Sequence, residues 1–168
     1  MQPKISALGL DIGKKRIGVA GCDGTGLIAT GLTTIVRTSF AADVLLLQTI
    51  AQERQVQILV VGLPYTMSGE LGFQAKQVQK IARRLAEALN LPMEYVDERL
   101  TSIEAEQLIG KQKKSPIYDK GLIDRQAAAL ILQRWLDARR TSQLLDKSLT
   151  WQLLNDRTAS RDILKADK

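Results

Sequence analysis

The 168 residues suit one domain with a sizeable core, and no apolar run approaches the roughly 20 residues that span a bilayer. The chain has no His and one Cys, which excludes Ser–His and Cys–His nucleophile pairs, HExxH motifs, an internal disulfide and any ordinary zinc site. A net charge of +6 favours a polyanionic partner, while two Phe, three Tyr and two Trp are too few for a base-stacking platform.

Acid–base or metal chemistry must therefore rest on Asp, Glu, Lys or Tyr, and hard oxygen ligands suit magnesium or manganese. The basic charge fits backbone recognition of a structured nucleic acid. The first apolar run is short and contains an acid, so no leader is expected, and with a lone Cys22 the chain reads as cytoplasmic.

In chain order, residues 5–12, 16–22 and about 27–36 read as three strands. They are joined by Gly13-Lys14-Lys15 and by Asp23-Gly24-Thr25-Gly26, which predicts an antiparallel meander. Ser39 is placed to cap a helix running to about Arg54, with Val44, Leu47 and Ala51 along one stripe. Val56 to Val61 is a buried strand ending in Gly62-Leu63-Pro64. The loop Tyr65 to Gly72 leads to a helix over roughly 73–90, in which Val78, Ile81, Ala82, Leu85 and Leu89 share a face and Asn90-Leu91-Pro92 makes the stop.

Met93 to Asp97 forms a further short strand, and Thr101 or Ser102 can cap another helix. Lys111 to Pro116 makes a basic loop, and a last helix covers about 119–140. The order βββαβαβαα predicts an α/β domain with a mixed five-stranded sheet, an antiparallel meander followed by parallel strands, flanked by helices. The domain is expected over 1–140. Residues 141–168, with five Lys/Arg against four Asp/Glu among Leu149, Trp151, Leu153 and Leu154, form an extension with one short amphipathic helix.

Three acids stand out. Asp11 closes an apolar strand, where a carboxylate is costly unless paired, metal-bound or protonated; alone it reads equally as a turn residue. Asp124 lies 3, 4, 7 and 11 residues before Ala127, Ala128, Ile131 and Trp135, so it shares their apolar stripe and points at the sheet. Asp97-Glu98-Arg99 ends the last strand, where ligands of open α/β sheets gather. Carboxylates from a first strand, a later strand end and a late helix are what a divalent-metal phosphodiester site requires. Lys14, Lys15 and Arg16 flank the first acid. Lys111, Lys113, Lys114 and Lys120 border the helix of the third.

At these residues the chain resembles the YqgF (RuvX) family of RNase H-like proteins, relatives of the RuvC junction resolvases. The likeness covers about residues 5–138. It rests on Gly9-Leu10-Asp11-Ile12-Gly13, Lys15 to Ala20, Val61-Gly62-Leu63-Pro64 with Met67-Ser68-Gly69, Asp97 to Ser102, and Asp124 to Ala128. The resemblance implies an RNase H-like fold and a metal-dependent nuclease that processes the precursor of 16S ribosomal RNA. Its catalytic and metal-binding acids would be Asp11, Glu98 and Asp124. Lys14, Lys15, Arg16, Arg99, Lys111, Lys113 and Lys114 would contact nucleic acid. Many RNase H-like sites use a fourth acid, for which Asp97 and Asp119 are the candidates. Cys22 stands where relatives often carry a small hydroxyl residue.

The leading expectation is a magnesium- or manganese-dependent endonuclease acting on structured RNA, with ribosomal assembly partners and a monomer or dimer both compatible. A DNA Holliday junction resolvase would use the same acids. A non-catalytic RNA-binding assembly factor would need none of them. A nucleotide-binding domain of the actin and sugar-kinase type also begins with an Asp-x-Gly strand, but that type needs a second lobe.

Overall fold

The computed structural model describes residues 4–99 and 119–163, with side chains to Leu154. Three antiparallel strands come first, β1 (Ala7–Ile12), β2 (Arg16–Cys22) and β3 (Ala29–Val36). They are followed by α1 (Phe40–Glu53), β4 (Ile58–Leu63), α2 (Phe73–Leu89), β5 (Met93–Asp97) and α3 (Lys120–Ile163). The strands form one sheet in the order β3-β2-β1-β4-β5. β1 and β4 pair in parallel, as do β4 and β5, so the carboxyl ends of β1, β4 and β5 lie together. This is the expected mixed sheet.

Strand starts differ from the sequence expectation where side chains take over backbone partners. The Ser6 carbonyl still accepts from the Gln57 N–H at 2.8 Å, but its own N–H donates to Gln57 Oε1 and its hydroxyl to the Arg54 carbonyl, so β1 starts at Ala7. The N–H groups of Leu27 and Ile28 both donate to Asp23 Oδ1, so β3 starts at Ala29. The chain leaves α1 through Gln55, with φ of 51°, and β4 is displaced towards Leu63, which pairs with Asp97.

The helix ends follow local chemistry. Ser39 Oγ accepts from the Ala42 N–H at 3.2 Å, the expected cap of α1. Asn90 closes α2 in the left-handed region, as a residue after a helix commonly does. The last helix does not stop near 140. No Gly or Pro follows Gly121, and α3 continues to Ile163. The expected helix after Thr101 and the basic loop Lys111–Pro116 lie outside the described residues.

The sheet has two different faces. Leu8, Leu10, Ile12, Ile17, Val19, Leu59, Val61 and Leu63 pack with Leu47, Val78, Ala82 and Leu85 of α1 and α2. On the other face Ala7, Ala20, Cys22 and Val60 pack with Ala128, Ile131, Leu132, Trp135 and Leu136 of α3. The chain divides into two compact units, Met1–Leu136 and Asp137–Lys168.

Candidate active site at the carboxyl ends of the parallel strands

Side chains alternate across a strand, so Asp11 shares its face with Ala7 and Gly9, the face that α3 covers. The same parity on β5 puts Glu94 and Val96 on that face, and Glu98, one residue past the strand, follows them. The Glu98 N–H donates to the Leu63 carbonyl at 3.1 Å, which extends the β4–β5 pairing to the acid itself. Trp135 Nε1 donates to Glu94 Oε2, fastening α3 to the same edge.

Glycines let α3 come down on this face. Asp11 pairs with Gly18 on β2. A Cβ on Gly18 would collide with the backbone carbonyl of Asp124. One on Gly9 would meet Leu132 Cβ at 2.7 Å, and one on Gly31 would meet Arg125 Cβ at 3.0 Å. Gly62 plays the same part for Glu98, because a Cβ there would lie 2.6 Å from Glu98 Oε2. The first turns of α3 are therefore held against the strand pair that carries Asp11.

Asp11 consequently interacts with both Glu98 and Asp124. Burial pushes the Asp11 carboxyl up to about 6; the Asp124 charge adds to the rise, and a hydrogen bond with Glu98 partly offsets it. Burial likewise raises Glu98 to about 7, helped by the charges of Asp11 and Asp97 and by its hydrogen bond to Asp11. Asp11 and Glu98 are both half-buried and share a hydrogen bond. Their hard oxygens fit a divalent cation of the magnesium or manganese type.

Asp124 finds its positive charge in the protein. Arg16, the first residue of β2 and on the face of Gly18, donates from Nε to Asp124 Oδ2 at 2.5 Å. Among the described residues, no group of three or more carboxylates stands at metal-ligating spacing.

The other predicted site residues separate. Lys14 and Lys15 are exposed in the hairpin turn beside Asp11. Arg99 turns back on Asp97, donating from Nε and Nη2, and its guanidinium lies 5.8 Å from the Tyr65 ring. That pairing holds the Asp97 carboxyl below its ordinary value. Asp119 accepts from the Gly121 N–H at 2.8 Å and pairs with Arg125. Both candidates for a fourth acid thus already have local partners. Lys111, Lys113 and Lys114 lie outside the described residues. Cys22 is a buried free thiol whose S–H donates to the Ile5 carbonyl, far along the sheet from the acids.

Sequence reasoning missed a second buried acid network. Asp43 in the first turn of α1 is 2% exposed and pairs with Arg37 Nε at 3.3 Å. Arg37 grips the hairpin twice, by Nη1 to the Gly13 carbonyl and by its N–H to the Lys15 carbonyl. An Asp on the helical face shared with Leu47 was the available signal. A cavity of about 490 Å³, lined by Lys4, Ser6, Cys22, Arg54 and Gln57, opens at the opposite end of the sheet. None of the three acids lines it.

A family model described as "RuvX: Holliday junction resolvase" matches residues 5–138. A protein of Rippkaea orientalis named "Putative pre-16S rRNA nuclease" is 71% identical over 137 residues, covering 82% of this chain and 99% of the relative. One of Trichormus variabilis with the same name is 68% identical over 142 residues, 84% of this chain and 94% of the relative. In fold, Thermus thermophilus RuvC in complex with a Holliday junction substrate matches with a TM-score of 0.51 at 16% identity, covering 81% of this chain and 96% of that one. The sheet order, the helices on both faces and this likeness make the fold RNase H-like. With the family model spanning the sheet, both faces and all three acids, the chain belongs to the RuvX family.

Proposed function

We propose that the chain is a cytoplasmic, magnesium- or manganese-dependent endonuclease that cuts structured RNA, with the precursor of 16S ribosomal RNA as its substrate. The observation that carries this reading is the gathering of Asp11, Glu98 and Asp124 on one sheet face at the carboxyl ends of parallel strands. The name shared by relatives at 68–71% identity supports the substrate.

Asp11, Glu98 and Asp124 are the residues that would hold the metal. A divalent cation held there supplies an activated water and charge for the leaving oxygen. Glu98 and Asp11, with carboxyls raised to about 7 and 6, can hold or release a proton near neutral pH. Lys14 and Lys15 extend from the hairpin into solvent and would take the phosphates flanking the cut. Arg99, engaged by Asp97, contributes to the nucleic-acid surface from the far side of Glu98.

Cleavage of a ribosomal precursor transcript by Asp11→Asn, Glu98→Gln and Asp124→Asn tests the reading. Each is expected to lose at least about 100-fold in rate, about 2.7 kcal/mol of barrier. Wild-type rates in all three would refute it. The family description favours a second reading, a DNA four-way junction substrate. Junction DNA in the same assay decides between them.

A further inference from the structure

Arg16 and Asp124 meet through side chains while their backbones are fixed. The Arg16 carbonyl accepts from the Gly13 N–H at 2.9 Å, and Arg16 pairs with Val36 across the sheet. Asp124 is fixed by the seating of its carbonyl on Gly18, two residues beyond Arg16 on the same face. Their side chains are 33% and 20% exposed. The pair therefore sits at the rim of the site, where a long arginine can swing to solvent and a short aspartate cannot. Lys14 and Lys15 are exposed within the same turn, so a guanidinium leaving Asp124 joins a surface already suited to phosphate.

The other acids explain why this matters. Asp11 and Glu98 hydrogen-bond each other, and the Asp124 charge acts on Asp11, yet the three do not stand at ligating spacing among the described residues. What holds Asp124 is the arginine. A cation bound by all three carboxylates must compete with it.

Resting on the nuclease reading above, we propose that Arg16 is the resident counter-ion of Asp124 and exchanges partners: a divalent cation takes the carboxylate, and the freed guanidinium takes a substrate phosphate. Arg16 is then a positioning residue for the metal and a contact residue for the nucleic acid in turn. Because linkage is reciprocal, the cation must tighten nucleic-acid binding by the same factor by which nucleic acid tightens cation binding. If Arg16 only braced the fold, replacing it would leave that coupling unchanged.

Two binding measurements on the full chain test this without turnover. Calorimetric titration with Mn²⁺ alone is expected to show Arg16→Gln binding the ion several-fold more tightly than wild type, because a competitor has gone. Affinity for a structured RNA with and without Ca²⁺ is expected to rise with the ion in wild type. That rise should shrink in Arg16→Gln and shrink less in Arg16→Lys, which keeps the charge without the planar fork. Unchanged or weaker Mn²⁺ binding in a folded Arg16→Gln protein, or an undiminished Ca²⁺ effect, would overturn the exchange. Absence of Mn²⁺ binding in wild type would overturn the nuclease reading, and the exchange with it.

Discussion

The two faces of this sheet are made from the same strands by opposite rules. Towards α1 and α2 the strands present Leu8, Leu10, Ile17, Val19, Leu59, Val61 and Leu63, all 1% exposed or less. Towards α3 they present Ala7, Gly9, Asp11, Arg16, Gly18, Ala20, Gly31 and Gly62. The first face fills space with large aliphatic side chains, which is where burial stabilises most. The second gives up side-chain volume so that a helix backbone can approach, and it carries the acids at its end. The comparison separates what holds the sheet from what the sheet holds in place.

Changing side-chain volume on each face, adding it to one and removing it from the other, tests this most severely. Gly18→Ala puts a methyl into the Asp124 carbonyl, and backbone cannot yield as a side-chain tip can. A loss of about 3 kcal/mol is expected, as for overpacking of a tight site. Leu10→Ala on the other face costs a similar amount through the cavity it leaves, about 2–5 kcal/mol. The two should differ in chemistry. At temperatures where both are folded, Gly18→Ala should cut kcat by about 100-fold through a displaced Asp124, while Leu10→Ala stays near wild type. Thermal melts paired with kcat at low temperature would show it, and equal kcat values would mean that the small-residue face does not position the acid.

Protonation gives a milder contrast, since the two raised carboxyls, Asp11 and Glu98, both stand on the face towards α3. Glu98 is raised from 4.5 to about 7 and Asp11 from 3.8 to about 6, each favouring its neutral form on folding. A raised folded value contributes stability that is present below the unfolded value and lost as pH rises through the folded one. Metal-free protein should therefore lose stability between about pH 4 and pH 7. Glu98→Gln, a permanent mimic of the neutral acid, should leave stability at pH 4 nearly unchanged and raise it at pH 8 by about 2 kcal/mol. Magnesium should restore wild-type stability at pH 8 and do less for the variant. Denaturant midpoints at the two pH values measure both effects; a variant that is less stable at pH 8 would contradict the crowding of charge at this end.

Much of this division can be read in the sequence, and its limits are physical. Asp11 stands out because a carboxylate is expensive in an apolar strand. Asp124 stands out because helical phase puts it with Ala127, Ala128, Ile131 and Trp135, all of which are buried. At the end of β5 spacing alone left Asp97 and Glu98 open, and Glu98 came from the family resemblance; the observed strand, with Val96 packed towards α3, puts Glu98 on the face of Asp11. The Arg16–Asp124 pair was not legible, because it joins residues 108 apart and depends on how closely α3 sits on Gly18. Of the Asp43–Arg37 grip on the hairpin only the acid was marked, by its helical face shared with Leu47; nothing in the sequence names Arg37 as its partner. The length of α3 was underestimated for a simpler reason: a change in composition near residue 140 suggested a boundary, but no residue there breaks a helix.

That helix contains the smallest and most specific contrast. Leu132 of α3 is fully buried against the small-residue face, with its Cβ over Gly9. Leu144, Leu145, Leu149 and Leu153, further along, are each more than half exposed. Leu132→Ala should cost about 2–5 kcal/mol. Leu149→Lys should change stability by less than about 0.5 kcal/mol, because a solvated leucine contributes little and lysine is a good helix former. Chemical denaturation of the full chain measures both. A loss above about 1 kcal/mol for Leu149→Lys would mean that the exposed leucines are covered in solution, and a dependence of that loss on protein concentration would identify the cover as a second copy of the chain.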